Sequence, residues 1–145
     1  DAINYVNAKF LCDEKGITTE TSTGGDSIFK NKITVRLTTE NGIVSVGGTV
    51  FGENQQRIVT VNGFKTDFKP KGKMIIFKNH DVPGVIAQIS KILADEKINI
   101  ADFRLGRDEH GMALAVILVD EHIKTETLER LNALEACVWA QYAVI

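Results

Sequence analysis

The run Asn79-His80-Asp81-Val82-Pro83-Gly84 sets two short polar side chains and a turn ahead of an apolar stripe, Val85, Ile86, Ile89, Ile92 and Leu93, spaced for one face of a helix. A helix start presents unbonded backbone N–H groups that attract a carboxylate, here from Val82 to Val85, while an adjacent aspartate attracts an ammonium. Both demands together describe a free α-amino acid. Asn99, between Ile98 and Ile100, is a further polar group at a strand entry. The same residues carry a plainer reading, in which Asn79 and Asp81 cap the helix and Asn99 faces solvent.

Searches for catalytic patterns return little. Gly47-Gly48-Thr49-Val50-Phe51-Gly52 has the wrong spacing for a dinucleotide fingerprint and runs into polar Glu53-Asn54-Gln55-Gln56. No Walker loop, H-E-x-x-H or C-x-x-C occurs. His80, His110 and His122 fall in turns or loops, which argues against a shared metal site. The acid pairs Asp108-Glu109 and Asp120-Glu121 read as solvated loop charge. No nucleophile, base and charge stabiliser come together, so the chain is not expected to be a catalyst and needs no cofactor of its own.

The 145 residues carry 17 Lys+Arg against 19 Asp+Glu, a formal net charge of −2, which argues against nucleic acid or an anionic membrane as partner. No apolar run approaches the ~20 residues that span a bilayer. Residues 1–4 lack the basic and apolar regions of a signal peptide, and the missing initiator Met suggests part of a longer chain. Cys12 and Cys137 lie too far apart in sequence for a zinc spacing or disulfide framework. Both have apolar neighbours, where a free thiol acts as a small hydrophobe, and a reducing, cytoplasmic location is expected.

Pro70 marks a change of rhythm, within the bent, basic stretch Lys69-Pro70-Lys71-Gly72-Lys73. Residues 1–72 read as β-rich with one helix. That helix covers residues 2–15, with Ile3, Val6 and Phe10 on one face and Gly16 as its left-handed stop. Residues 18–23 could form an edge strand, and Gly24-Gly25-Asp26-Ser27 a turn. Ile33, Val35 and Leu37 alternate with polar residues as in a half-buried strand. Hairpins are expected at Asn41-Gly42 and Asn62-Gly63.

Residues 73–145 read as strand, helix, strand, strand, helix, strand, with strands near 74–77, 98–105, 112–119 and 137–144. The fold class is therefore α+β: a ferredoxin-like βαββαβ sandwich, four antiparallel strands with both helices on one face, preceded by the β-rich segment. The other sheet face is expected to be open. Exposed strand edges favour side-by-side pairing of two copies.

Asn79-His80-Asp81-Val82-Pro83-Gly84-Val85-Ile86, followed by Ile98-Asn99-Ile100-Ala101, Leu105-Gly106-Arg107 and Gly111-Met112-Ala113, resembles an ACT domain of the kind found at the C-terminus of D-3-phosphoglycerate dehydrogenases. The preceding half, with Val6-Asn7-Ala8, Glu14-Lys15-Gly16-Ile17, Gly48-Thr49-Val50-Phe51-Gly52, Arg57-Ile58-Val59 and Val61-Asn62-Gly63-Phe64, is similar to the latter part of the allosteric substrate-binding domain of the long forms. L-serine dehydratases carry a related pair of domains. The resemblance implies a parent enzyme that oxidises 3-phosphoglycerate with NAD in serine biosynthesis, its catalytic domains lying upstream. It also implies homo-oligomers through edge-to-edge ACT pairing, with L-serine bound at the interface as feedback effector. Asn79, Asp81 and the backbone of Val82, Pro83, Gly84 and Val85 would come from one copy and Asn99 from its neighbour. Asn79 stands where an aromatic or His side chain is common.

The family's cationic site for an anionic effector or substrate aligns with Arg57, Phe64 and Lys69, and Phe64 replaces a basic residue. The candidate anion site here is Arg57, Lys65 and Lys69. Hairpin arithmetic that pairs Val61 with Phe64 and Arg57 with Phe68 puts the two lysines on the face opposite Arg57. The alternative is a set of solvated lysines on a polar face. An oligomerisation module with a vestigial pocket is a further reading of the whole chain.

Overall fold

The computed structural model describes residues 3–24 and 28–145. Among the described residues, two four-stranded antiparallel sheets and three helices form an α+β fold. The first sheet is a meander, β1 (Lys32–Thr39), β2 (Gly42–Phe51), β3 (Gln55–Val61) and β4 (Phe64–Phe68), in sequence order. The second contains β5 (Lys73–His80), β6 (Ile100–Arg107), β7 (Met112–Val119) and β8 (Cys137–Val144), in the order β6-β7-β5-β8. With α2 (Val85–Asp95) after β5 and α3 (Thr125–Asn132) after β7, this is the ferredoxin-like sandwich the sequence predicts.

One core lies between the second sheet and its helices. Val85, Ile89, Ile92 and Leu93 of α2 and Leu131 of α3 bury against Ile75 and Phe77 of β5, Ala115 and Ile117 of β7, and Ala140 of β8. α2 ends where Lys97 adopts φ 58 and the Ile98 N–H reaches back to the Leu93 carbonyl at 2.9 Å. This left-handed closing turn delivers Asn99 to the entry of β6.

The other face of that sheet is not open, contrary to the sequence expectation. Val61, Phe64 and Phe68, from β3 and β4, pack there on Met74, Leu114 and Val116. The sign of a second contact was in β7 itself: Met112-Ala113-Leu114-Ala115-Val116-Ile117-Leu118-Val119 is apolar on both faces. Gly106 of β6 makes the approach possible. A Cβ there would strike the Lys65 carbonyl oxygen and come within 3.2 Å of the Phe64 Cβ. Residues 69–72 join the two sheets and are tied to the chain end by reciprocal backbone bonds between Gly72 and Ile145, 2.9 and 3.0 Å.

The first half departs more from expectation. The helix α1 is confined to Ala8–Glu14. Ahead of it, Asn4 Oδ1 accepts the N–H groups of Val6 and Asn7 at 2.9 and 3.0 Å, and Asn7 Oδ1 accepts that of Asn4 at 2.8 Å. These local bonds satisfy the backbone in a turn, which competes with helix. The expected helix start at Ala2 lies outside the described residues, as does the Gly25-Asp26-Ser27 part of the expected turn. Residues 18–23 form no strand.

Thr39 pairs with Gly42, so the first hairpin turns through Glu40-Asn41, one residue earlier than expected. Asn62 and Gly63, at φ 48 and 83, make the second turn as expected. β1 is exposed along its whole length rather than half-buried. Register puts Ile33, Val35 and Leu37 on one face with Val44 and Val46 of β2, and no described element covers them. A groove of about 360 Å³ runs along this face toward Ile58 and Pro70.

Candidate functional site

Asp81 follows the last residue of β5, at the end of the sheet where His80 pairs with Met112 and Arg107 with Ala113. Its N–H donates to the Gly111 carbonyl at 2.8 Å, which anchors the loop to the β6–β7 turn. Its Oδ2 accepts from Arg107 Nε at 2.5 Å. Val82, Pro83 and Gly84 are exposed, and Val85 is buried as the first core residue of α2. Gly84 forms the N-cap at φ 91, the left-handed region that favours glycine, with no side-chain cap. The plainer reading, that Asn79 and Asp81 serve as helix caps, is therefore not what the structure contains.

Asn79 is 4% exposed, and its Nδ2 donates to the neighbouring His80 carbonyl at 2.6 Å. Its polar group is engaged in the backbone of its own strand end. Asp81 alone of the two points a charged group toward the loop surface.

Asn99 sits at the opposite end of the sheet, next to the Ile100–Val119 pair, where Val119 also meets Lys73. Its N–H donates to Glu121 Oε2 at 2.7 Å and its Nδ2 to Asp120 Oδ2 at 2.6 Å. The Asp120 contact fixes which end of the amide is engaged, leaving Oδ1 as an available acceptor on an exposed residue. Asp81 and Asn99 are thus separated by the length of β5, roughly 23 Å at ~3.3 Å per residue. Within one chain they cannot touch the same small molecule.

β6 is an edge strand, and Ala101, Arg104, Leu105 and Arg107 along it are exposed. Antiparallel pairing of a strand with a second copy of itself over its full length would set its first residue opposite its last. For Ile100–Arg107, that brings the Asn99 end of one copy to the Arg107 and Asp81 end of the other.

The candidate anion site is arranged differently from the hairpin arithmetic. An irregularity between Ile58 and Thr60 shifts the register, so Ile58, rather than Arg57, pairs with Phe68. Arg57 reaches Asp67, Nε to Oδ1 at 2.5 Å and Nη2 to the backbone oxygen at 3.4 Å. The Asp67 hydrogen bond lifts the guanidinium pKa above its ordinary value, against an opposing burial cost, with the charges of Asp67 and Asp102 adding. Lys65 and Lys69 are exposed on either side of Asp67. The guanidinium already has an internal carboxylate, so an incoming anion must compete with Asp67.

Among the described residues no group of three His, Cys, Asp or Glu side chains is placed to hold a metal, and no helix is long and apolar enough to cross a membrane. Cys12 and Cys137 are free and half-buried. Gly47 and Gly48 lie inside β2, which leads into a hairpin rather than a helix, so this stretch does not fit a dinucleotide pyrophosphate. Arg107 is the residue that sequence reasoning leaves without a role. Its signal is topological: the last residue of β6 faces the first turn of β7, which faces the end of β5.

Residues 73–136 match the ACT domain family, and residues 1–62 match the D-3-phosphoglycerate dehydrogenase intervening domain. The chain is 34% identical over 132 residues to D-3-phosphoglycerate dehydrogenase of Bacillus subtilis, covering 90% of this chain and 25% of that protein. It is 33% identical over 145 residues to the Archaeoglobus fulgidus protein of the same name, covering 97% and 27%. For the Mycobacterium leprae protein of that name the figures are 31% over 121 residues, 81% and 23%. The chain spans about a quarter of the length of these relatives. The chain is thus an intervening-domain segment followed by an ACT domain, consistent with a C-terminal regulatory part of a D-3-phosphoglycerate dehydrogenase.

Proposed function

We propose that two copies of this chain pair through β6 and enclose L-serine, so that the end product of the pathway restrains the enzyme. The observation that carries this reading is the separation of Asp81 and Asn99 to opposite ends of one sheet, joined by an exposed edge strand. Asp81 takes the ammonium, Asn99 of the second copy adds its Oδ1, and the uncapped start of α2 faces the carboxylate. The whole protein, in the cytoplasm, oxidises 3-phosphoglycerate with NAD held by other parts of the enzyme. Feedback requires serine to bind two arrangements of the copies with different affinity, since equal affinity shifts nothing.

Titration calorimetry of the chain with L-serine tests the reading, with sedimentation to establish the dimer. Heat at millimolar or lower serine, lost in both Asp81→Ala and Asn99→Ala, is the expected result. A folded dimer that gives no heat with millimolar serine overturns it.

A further inference from the structure

We propose that Arg107 is the side chain that joins the start of α2 in binding the carboxylate, and that its exchange between Asp81 and the ligand makes the site select zwitterions. The inference rests on the serine reading above and assigns a residue and a selection rule to it.

Two observations and one consequence of the proposed pairing support it. Arg107 Nε holds Asp81 Oδ2 at 2.5 Å, so the group meant for the ligand's ammonium already carries a cation. The arginine side chain is 66% exposed and the aspartate 22%, so the guanidinium lies on the solvent side and can swing away without opening the core. In the proposed pairing over the full length of β6, Arg107 would lie opposite Ile100 of the second copy, next to that copy's Asn99.

The polar inventory then lacks a cation for the carboxylate. Ionised Asp81 can only accept, and Asn99, with one of its two amide N–H bonds given to Asp120, offers Oδ1 and a single uncharged donor. Both side chains that pairing would unite suit the ammonium, and neither they nor the backbone N–H groups at the start of α2 bring a full positive charge to the carboxylate. A guanidinium matches a carboxylate with two parallel N–H bonds. In the exchange the Asp81–Arg107 pair opens, the ammonium binds Asp81, and the carboxylate binds Arg107. One ion pair becomes two, with charge balanced before and after. An amine without a carboxylate must displace Arg107 and returns nothing to it.

The test is calorimetry of the intact chain with L-serine and with L-serinamide, which keeps the ammonium and lacks the carboxylate. The wild-type chain is expected to prefer serine by roughly tenfold or more. In Arg107→Gln, serine is expected to weaken by a similar factor while serinamide holds or tightens, so the preference collapses toward unity. Arg107→Lys, a point charge without the fork, is expected to fall between. Sedimentation must show the variants still paired. A serine-to-serinamide ratio unchanged in Arg107→Gln, or equal loss of both ligands, overturns the proposal alone. Absence of serine binding in the wild-type chain overturns the serine reading and this proposal with it.

Discussion

The Lys65 carbonyl on β4 faces Gly106 on β6 so closely that not even a methyl group fits between them. Gly106 is thus the point of closest approach where the first sheet, packed through Phe64 and Phe68, is seated on the second. Gly106→Ala forces β4 outward and should destabilise the chain by about 1–3 kcal/mol, as overpacking does. Urea denaturation measures this, and Gly106→Val should cost more. An unchanged midpoint in Gly106→Ala would mean that β4 yields freely.

Lys97 holds a left-handed conformation, φ 58, to close α2. A side chain there is strained, and glycine is not. Lys97→Gly should stabilise the chain by roughly 0.5–1 kcal/mol, after the larger entropy loss of glycine is offset against the relieved strain. Thermal unfolding monitored by circular dichroism reads the shift.

Asp108 closes the β6–β7 turn, its Oδ1 accepting the N–H groups of His110 at 2.9 Å and Met112 at 2.8 Å. The Met112 bond above all holds its carboxyl below the ordinary range, against an opposing desolvation. A depressed folded pKa gives stability that is present above the ordinary value of about 3.9 and lost as pH falls through the lower folded value. Asp108→Ala should therefore trail the wild type at neutral pH and converge with it in strong acid. Denaturation midpoints across that range check the sign.

Leu105 is 41% exposed on the free edge of β6. Leu105→Lys should leave the fold intact, with stability within about 1 kcal/mol of wild type, because an exposed position tolerates a long charged side chain. On the proposed pairing through β6 it should also turn dimer into monomer and abolish the heat of serine binding. Sedimentation and calorimetry on one preparation separate these effects.

The sandwich of residues 73–145 was legible because its signals are local: the Val85 to Leu93 stripe and the apolar strands each predict their own element. The covering of its second face was harder to read, since Phe64 and Phe68 announce a hidden surface without naming what hides it. At the start of the chain, Asn4 and Asn7 overrode the helical spacing by bonding their own backbone. Asp81 and Asn99 were visible by residue type, yet only register reveals that a sheet's length divides them. Arg107 went unassigned because its partner is 26 positions away in sequence.

Gly106 and the proposed pairing between copies share a single strand, β6, and the seat at Gly106 has no slack. A few degrees of rolling between copies about β6 would carry the β1–β4 meander along as a stiff arm. Its sideways travel would grow with distance from that axle, so the far tip of β1 would sweep the widest arc.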